Sequence, residues 1–278
     1  MAAGTLYVCA TPIGNLEDVS IRLLKTLRAV DIIACEDTRH TRKLLTRYKI
    51  KKRLLSYHEH SGSAREDYLL EELKKGVNIA LVSDAGMPGI SDPGEKLVKK
   101  AIAAGIKVDV VPGPSACTTA LAISGLDSRA FVFAGFLPNR RQARLQALRE
   151  LKNESRTVII YEAPHRLLDT LADFEEVSGP DQNLVIAREL TKQHQQMQRG
   201  TVKELREYYE VHRPRGEFCL LFPGQTQETE TADLEQIISE TAELIKAGME
   251  KKEAFKMKAH EYGIKKSILY KYFVDNPL

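Results

Sequence analysis

The chain has 278 residues, of which 43% are hydrophobic and 28% are charged, and its formal net charge is +3. These values are typical of a soluble protein with room for two globular domains and a small tail. The apolar runs are no longer than strands, and no basic region precedes an apolar segment at the start, so neither a membrane span nor a secretory signal is predicted. The four cysteines are scattered, without a Cys-x-x-Cys pair. This argues against a zinc knuckle and predicts a cytoplasmic protein.

Short apolar runs alternate with amphipathic segments in the first half, which predicts an open, mostly parallel sheet with helices between its strands. The predicted strands are 6–10, 31–35, 54–57, 78–83 and 107–111, and the predicted helices are 19–29, 38–48, 64–75 and 95–104. Ser63 and Glu66 have the spacing of a capping box for the third helix. Gly105 is placed to end the fourth.

Polar and Gly/Pro-rich stretches follow each of these five strands. Ligands of open parallel sheets bind beyond the carboxyl ends of the strands, so these stretches should meet on one rim. The stretch 83–94, Ser-Asp-Ala-Gly-Met-Pro-Gly-Ile-Ser-Asp-Pro-Gly, is the most specialised, because its glycines and prolines can hold backbone N–H groups around a small polar ligand. The fingerprints of the common dinucleotide and ATP folds, Gly-x-Gly-x-x-Gly and Gly-Lys-Ser/Thr, are absent.

The second half repeats the alternation, and its last part is helical. The predicted strands are 131–135, 157–161, 184–189 and 218–222, and the predicted helices are 116–124, 141–151, 165–174 and 202–209, the last with a Thr201/Glu204 capping box. A polar linker, 225–232, leads to helices at 234–247, 253–261 and 265–272, the last two with helix-turn-helix spacing. We therefore predict α/β domains at 1–113 and 114–224, and a helical domain at 225–278. That last domain is either an RNA-binding module or a cap packed on its own chain.

Seven ordered motifs closely resemble one family, the RsmI family of small-subunit ribosomal RNA 2′-O-ribose methyltransferases within the tetrapyrrole-methylase (class III) superfamily. The motifs are Thr11-Pro-Ile-Gly-Asn-Leu, Glu36-Asp-Thr-Arg-His-Thr, the stretch 83–94, Pro112-Gly-Pro-Ser-Ala, Gly135-Phe-Leu-Pro, Glu162-Ala-Pro-His-Arg and Arg188-Glu-Leu-Thr-Lys. The sequence departs from the usual pattern in two places: Met87 replaces a more frequent threonine, and Gln195-Gln196 replace acidic residues.

The resemblance implies two α/β domains of the tetrapyrrole-methylase type with S-adenosylmethionine in the cleft between them, plus a small C-terminal helical domain. It also implies methylation of a cytidine 2′-hydroxyl in the decoding region of 16S rRNA, on the free RNA or the small subunit, by a homodimer. Carried over by motif, the cofactor contacts are Pro12, Gly14, Asp84, Ala85, Gly86, Ser91, Asp92, Pro112, Gly113, Ser115 and Ala116.

A ribose hydroxyl is a poor nucleophile, so it gains from a base or from a cation near the developing alkoxide. Glu36 or Asp37 is the preferred polarising carboxylate, and the other catalytic candidates are His60, Arg188, Glu189 and Lys192. The candidates for RNA phosphates are Arg39, Arg140, Arg141, Arg144, Lys265 and Lys266. Ion pairing with nearby carboxylates or a solvated helix face would explain these cations as well. No metal is predicted, because His58-x-His60 lacks a third ligand.

Two other functions compete with this interpretation. A precorrin-type C-methylase would share the fold, but the basic tail and the Glu-Asp-Thr-Arg-His motif argue against it. A ligand-sensing regulator of transcription would use the tail helices on DNA, and it would need a duplex-reading helix exposed in a dimer.

Overall fold

A computed structural model gives the architecture for residues 2–58, 61–224, 231–262, 264 and 266–275. The chain divides into two compact units, Met1–Gly224 and Gln225–Leu278. Two five-stranded sheets lie in the first unit. His60 and Lys265 lie outside the described residues, so the predictions made for them are left as they stand.

The first sheet is entirely parallel. Its strands are β1 (Thr5–Cys9), β2 (Ile32–Cys35), β3 (Arg53–Ser56), β4 (Ile79–Val82) and β5 (Lys107–Val111), in the spatial order β3-β2-β4-β1-β5. The connecting helices are α1 (Ile21–Ala29), α2 (Thr38–Arg47), α3 (Gly62–Lys74) and α4 (Gly94–Ala103). Every residue of β2 and β4 is buried, as expected of central strands covered on both faces.

Alternation along these strands explains how both faces are covered. Ile33 and Ala80 pack with α1 and α2 on one side, whereas Ala34 and Leu81 pack with α3 and α4 on the other. Successive side chains of a strand point to opposite faces, so two separate apolar layers result. The sheet is thereby held rigid, and the loops at the carboxyl ends of its strands are anchored at their bases.

The second sheet is mixed. Its strands are β6 (Phe131–Phe136), β7 (Thr157–Glu162), β8 (Asn183–Arg188), β9 (Gln196–Thr201) and β10 (Phe218–Phe222), in the order β6-β7-β10-β8-β9. The helices of this half are α5 (Ala116–Ser124), α6 (Arg141–Lys152), α7 (Leu167–Ser178) and α8 (Val202–Val211). Only β6 and β7 pair in parallel. Helices α6 to α8 cover one face and α5 covers the other.

Of the two predicted capping boxes, one is confirmed and one is wrong. The Thr201 hydroxyl accepts from the backbone N–H of Glu204, and the Glu204 carboxylate accepts from the backbone N–H of Thr201. The Ser63/Glu66 box does not form, because α3 begins at Gly62, two residues earlier than predicted, and Ser63 therefore lies inside the helix. Glu66 instead accepts from the Tyr57 hydroxyl and pairs with Lys100 at 2.8 Å. That carboxylate joins α3 to α4, a use that local spacing does not reveal.

The second unit contains helices α9 (Thr231–Lys246), α10 (Lys251–Glu261) and α11 (Lys266–Asp275). They pack around a small core that includes Ile237, Phe255 and Leu269. Lys258 pairs with Glu240 and Glu261, so its charge is already matched within this unit. No helix in the described part of the chain is both long and apolar enough to cross a membrane.

Candidate active site

A cavity of about 310 Å³ lies where the carboxyl ends of the first sheet meet the second sheet. The loops after β1, β2 and β4 reach it because parallel strands end on the same edge. In the second sheet, antiparallel pairing places Phe218, at the start of β10, opposite both Glu162 and Arg188, at the ends of β7 and β8. The lining residues are Ile13, Glu36, Ser83, Ala85, Gly86, Met87, Ile90, Ser91, Asp92, Ser115, Ala116, Phe136, Tyr161, Glu162, Ala163, Pro164, Ala187, Leu190, Glu217, Phe218 and Cys219.

The loop after β4 is pinned to the loop after β1. Gly86 exchanges two backbone hydrogen bonds with Thr11, at 2.9 and 3.1 Å. The Thr11 hydroxyl also donates to the carbonyl of Ser83 at 3.2 Å. Gly86 has φ +79°, a conformation that a side chain would strain, which explains why glycine occupies this position. The two loops therefore form one fixed wall of the cavity.

Asp92 closes the other end of this loop. Its Oδ1 accepts from the backbone N–H groups of Gly89 and Gly94, each at 2.8 Å. A Cβ added at Gly94 would lie 2.8 Å from that oxygen, so the turn requires glycine there. The backbone N–H groups of Ala85 and Ser91 have no acceptor among the described residues. Two lining residues thus retain a free donor for a polar ligand.

Four carboxylates line the cavity, and three of them are already engaged. Asp92 organises the loop, and Glu217 pairs with Lys192 at 2.9 Å. Glu162 is buried and accepts from the Thr170 hydroxyl at 2.6 Å. Glu36 has no ion pair within the described part of the chain. It is therefore the lining carboxylate most available for a reacting group.

Glu36 is also electrostatically perturbed. Burial raises its pKa above the usual range, and the negative charges of Asp84 and Asp92 raise it further, while His58 and the Asp84 backbone act in the opposite direction. A carboxylate that holds a proton more readily than usual is a better proton acceptor. Burial and the neighbouring charges thus give the Glu36 carboxylate one property that a general base requires.

Asp37, the neighbouring candidate, has a different surrounding. Its side chain caps α2 by accepting from the Arg39 backbone at 2.7 Å. The Arg39 guanidinium bonds to the same carboxylate, and these bonds lower the pKa of Asp37 to about 2. Neither residue lines the cavity. Asp84 accepts from the backbone N–H of Asp37 at 3.0 Å, so it joins this loop to the one after β4.

The loop after β8 carries a cation, Lys192, that does not line the cavity but pairs with Glu217, which does. Lys192 donates to Glu189 at 2.8 Å and to Glu217 at 2.9 Å. Burial disfavours its charged form, but these bonds outweigh that effect and raise the pKa of Lys192. The lysine therefore stays protonated and can act on a developing negative charge, not as a base. The Glu189 carboxyl group lies directly against Gly216, where a Cβ would clash with it, so glycine is required at that position.

The two glutamines that depart from the family pattern have structural roles. Gln195 Oε1 accepts from the backbone of Thr191 at 2.7 Å. Gln196 Oε1 accepts from Arg188 at 3.0 Å, and Arg188 Nε donates to the carbonyl of Arg215 at 2.6 Å. Arg188 is thus committed to the backbone beside β10 and does not line the cavity.

The residues predicted to bind the cofactor divide into two groups. Ala85, Gly86, Ser91, Asp92, Ser115 and Ala116 line the cavity, whereas Pro12, Gly14, Asp84, Pro112 and Gly113 do not. The glycines of the second group permit close packing of neighbouring loops: a Cβ at Gly14 would lie 2.5 Å from Lys192 Cγ, and one at Gly113 would lie 3.0 Å from the Ala10 side chain. Their contribution is to the shape of the site.

The three arginines of α6 are not equivalent. Arg144 is only 5% exposed, and its Nε donates to Asp173 at 2.7 Å. Arg141 pairs with Asp173 and Glu176. Arg140 is exposed and has no ion pair among the described residues. The prediction that Arg144 contacts RNA is therefore wrong, because a buried and paired guanidinium cannot reach a phosphate. Arg140 is still a candidate for such a contact.

Several lining residues were missed by sequence reasoning, mainly in the second sheet. Phe136, Tyr161, Glu162 and Leu190 all lie in or beside the motifs quoted above, at or near strand ends. The rule that ligands bind at strand ends could have located the first three, because β6 and β7 are parallel. Phe218 enters from the start of an antiparallel strand, so that rule does not locate it.

Comparison with known proteins identifies the family. Residues 5–206 match the tetrapyrrole (corrin/porphyrin) methylases. The chain is 46% identical to the ribosomal RNA small subunit methyltransferase I of Synechocystis sp., over 96% of both chains. This chain belongs to the ribosomal RNA small subunit methyltransferase I family. The resemblance seen in its motifs is confirmed.

One further relative and one solved structure give information on the architecture of this methyltransferase. The Thermotoga maritima protein of the same name is 50% identical and is covered over 99% of its length by 80% of this chain, about the length of the first unit. A cobalt precorrin-4 methyltransferase structure superposes with a TM-score of 0.62 at 16% identity, covering 79% of this chain and 94% of its own. At that identity the likeness shows the fold alone, and the predicted fold class is confirmed.

Proposed function

We propose that this methyltransferase transfers the methyl group of S-adenosylmethionine to the 2′-hydroxyl of a cytidine in the decoding region of 16S rRNA. One observation carries the proposal: the cavity brings a polar, Gly-rich loop together with a half-buried carboxylate, Glu36, that has no ion pair among the described residues. The names of the relatives supply the substrate class. A precorrin methylase has only the shared fold in its favour.

The residues of the cavity fit the cofactor. Its volume of about 310 Å³ is at the small end for a drug-sized ligand, and its walls combine free backbone donors at Ala85 and Ser91 with apolar side chains. Ala85, Gly86, Ser91, Asp92, Ser115 and Ala116 would hold it. When bound, S-adenosylmethionine supplies a methyl group on a positively charged sulfur, whose leaving group needs no further activation.

The protein then has to align the ribose oxygen and manage its proton. Fixed loops provide the alignment, because both ends of the 83–94 loop are anchored by hydrogen bonds. The Glu36 carboxylate accepts the hydroxyl proton. Lys192 stays protonated beside Glu217, which lines the cavity, and contributes to the positive potential that stabilises the charge developing on the oxygen. Apolar side chains such as Ile90 and Leu190 exclude water from the reacting atoms.

The test is to incubate the full chain with radiolabelled S-adenosylmethionine and small ribosomal subunits that lack this methylation. We expect one labelled cytidine ribose in the decoding region, mapped by nuclease digestion and mass spectrometry. Free 16S rRNA in a parallel reaction identifies the preferred form of the substrate. Label in a precorrin but not in RNA would overturn the proposal. We further propose a cytoplasmic homodimer, as the family resemblance implies, and sedimentation measures its mass.

Asp92→Ala should weaken S-adenosylmethionine binding by about 1–3 kcal/mol. The substitution removes the acceptor for two backbone N–H groups that shape the loop. Asp92→Asn keeps one side-chain oxygen and should retain most of the affinity. Isothermal titration calorimetry measures both. Asp109→Ala is the matched control, because among the described residues the Asp109 side chain accepts only from its neighbour Val110 on β5. Affinity of Asp92→Ala equal to that of the control would contradict the assignment of this loop.

A further inference from the structure

The loop between β6 and α6 is held unusually firmly. Leu137 is buried, and its carbonyl accepts from Arg166 at 2.8 Å. Arg166 also donates to the carbonyl of Pro138 at 3.2 Å, and Arg144 donates to the carbonyl of Asn139 at 3.3 Å. Three consecutive carbonyl groups are therefore fixed by two arginines. The loop is a preorganised part of the surface and needs no ordering when a ligand arrives.

Two side chains at the ends of this fixed loop project away from it. Phe136 is 53% exposed although it lines the cavity, and its ring packs edge-on against Tyr161 at 5.7 Å between centroids. Arg140, at the other end, is exposed and has no ion pair in the described parts of the chain. An aromatic ring and a free cation thus flank one rigid segment.

Phe136 lies at the entrance of the cavity, beside the 83–94 loop. A Cβ added at Gly135 would lie 3.1 Å from the Ser91 hydroxyl oxygen, so the end of β6 touches the 83–94 loop. Ile90, next to Ser91, is 45% exposed and also lines the cavity. Two exposed apolar side chains, one at the end of β6 and one in the loop after β4, therefore line the cavity. Such exposure is unfavourable in water and is relieved when a flat apolar group covers the ring.

The occupant that fits this entrance is a nucleobase. Proteins that act on single-stranded RNA splay out bases and stack them on aromatic side chains. A neighbouring phosphate then needs a cation, and Arg140 is available where Arg141 and Arg144 are not. A tetrapyrrole would not need an aromatic ring paired with a single guanidinium in this way, whereas a nucleotide has one flat base and one anionic phosphate.

We propose that Phe136 stacks on the base of the target nucleotide while Arg140 binds an adjacent phosphate, which together place the ribose hydroxyl at the cavity. This inference rests on the proposed function, since it assumes an RNA substrate. It assigns Phe136 and Arg140 to the substrate and leaves the cofactor to the loop residues inside.

The first test is Phe136→Ala in the full chain, assayed on unmethylated small subunits. We expect kcat/KM for the subunit to fall about 5- to 150-fold, mainly through KM, because one base–aromatic stack is lost. The affinity for S-adenosylmethionine should not change. Phe136→Tyr should restore the parent value. Phe131→Ala is the matched control, because Phe131 is also exposed and lies on the same strand but outside the cavity.

A second test removes the base instead of the ring. Subunits reconstituted with an abasic ribose at the target should be methylated at equal rates by the parent and by Phe136→Ala. Arg140→Gln should weaken binding of intact and abasic subunits alike and should lower the salt slope by about 0.7, the value for one phosphate contact on a single strand.

The outcomes separate the two hypotheses. If the parent does not methylate the subunit, the proposed function fails. If the parent is active but Phe136→Ala behaves as Phe131→Ala does, only the stacking inference fails. If Phe136→Ala weakens S-adenosylmethionine binding as much as it raises KM, the ring belongs to the cofactor and the inference is overturned.

Discussion

Replacing Glu36 with glutamine should lower the rate of methyl transfer by about 10²–10⁴-fold and leave S-adenosylmethionine affinity near that of the parent. Glutamine keeps the size of the side chain but cannot accept the hydroxyl proton. Of the four lining carboxylates, Glu36 is the one without an ion pair or a loop-organising role among the described residues. Single-turnover rates with labelled cofactor measure the first quantity, and calorimetry measures the second.

Asp37→Asn is the matched control for this prediction. Both carboxylates lie just before α2, but only Asp37 caps this helix and pairs with Arg39. Asparagine can still cap a helix, so this variant should keep a rate within a few-fold of the parent. A larger loss in Asp37→Asn than in Glu36→Gln would reassign the base. Parental rates in both variants would leave alignment, with Lys192, as the source of catalysis.

The pH dependence provides an independent check of the same role. Catalysis by Glu36 needs the ionised carboxylate, so the rate should fall as the pH falls through its raised pKa and should recover as the pH rises. Beyond burial, the charges of Asp84 and Asp92 raise the pKa of Glu36, and the hydrogen bond from the Asp84 backbone and the His58 ring lower it. Asp84→Asn should therefore move the step to lower pH, because it removes a like charge. The step should be absent in Glu36→Gln.

The sheets could be predicted because their signal is local. Continuous apolar runs such as those of β2 and β4 mark buried strands wherever they occur, and Gly/Pro-rich stretches mark the loops that follow. Strand β9 was missed because its sequence, Gln-Met-Gln-Arg-Gly-Thr, is polar and lies at the edge of its sheet. An edge strand is specified by its partner, here β8, more than by its own residues.

The site could be predicted only where the chemistry lies on one segment. The 83–94 loop and Glu36 belong to such segments, and both line the cavity. Arg144 could not be assigned from its sequence, because the carboxylate that buries it, Asp173, is 29 residues away on α7. Asp37 and Glu36 are adjacent in sequence but differ in surroundings, because Asp37 caps α2 whereas the Glu36 side chain lines the cavity.

Four lysines of the tail line one groove of the second unit and have no ion pair among the described residues: Lys251, Lys252, Lys266 and Lys271. The ammonium group of Lys251 lies 4.5 Å from the centre of the Phe273 ring, and Tyr270 is exposed beside it. Lysines interleaved with aromatic rings are typical of single-stranded RNA surfaces. We therefore keep the RNA-binding hypothesis for the tail and locate it in this groove.

Changing these four lysines to glutamine in the full chain should weaken RNA binding and flatten its salt dependence. If all four lysines contact phosphates of a single strand, the slope of log affinity against log salt concentration should become shallower by about 3 units. The ratio of the parent's RNA affinity to that of the variant should therefore fall by more than about tenfold between about 50 and 200 mM salt. S-adenosylmethionine binding should be unchanged, because its proposed residues lie in the first unit. Filter binding with 16S rRNA across salt concentrations measures the slope.

The control variant carries the same charge change on the first unit. Lys25, Lys51, Lys107 and Lys203 are exposed and have no ion pair in the described parts of the chain, and Lys51 and Lys107 lie at the amino ends of strands, away from the cavity. A general effect of net charge would lower both slopes equally, and the tail would then be only a solvated face. A loss confined to the tail variant assigns the phosphates to the groove, because counterions are released only where lysines and phosphates meet.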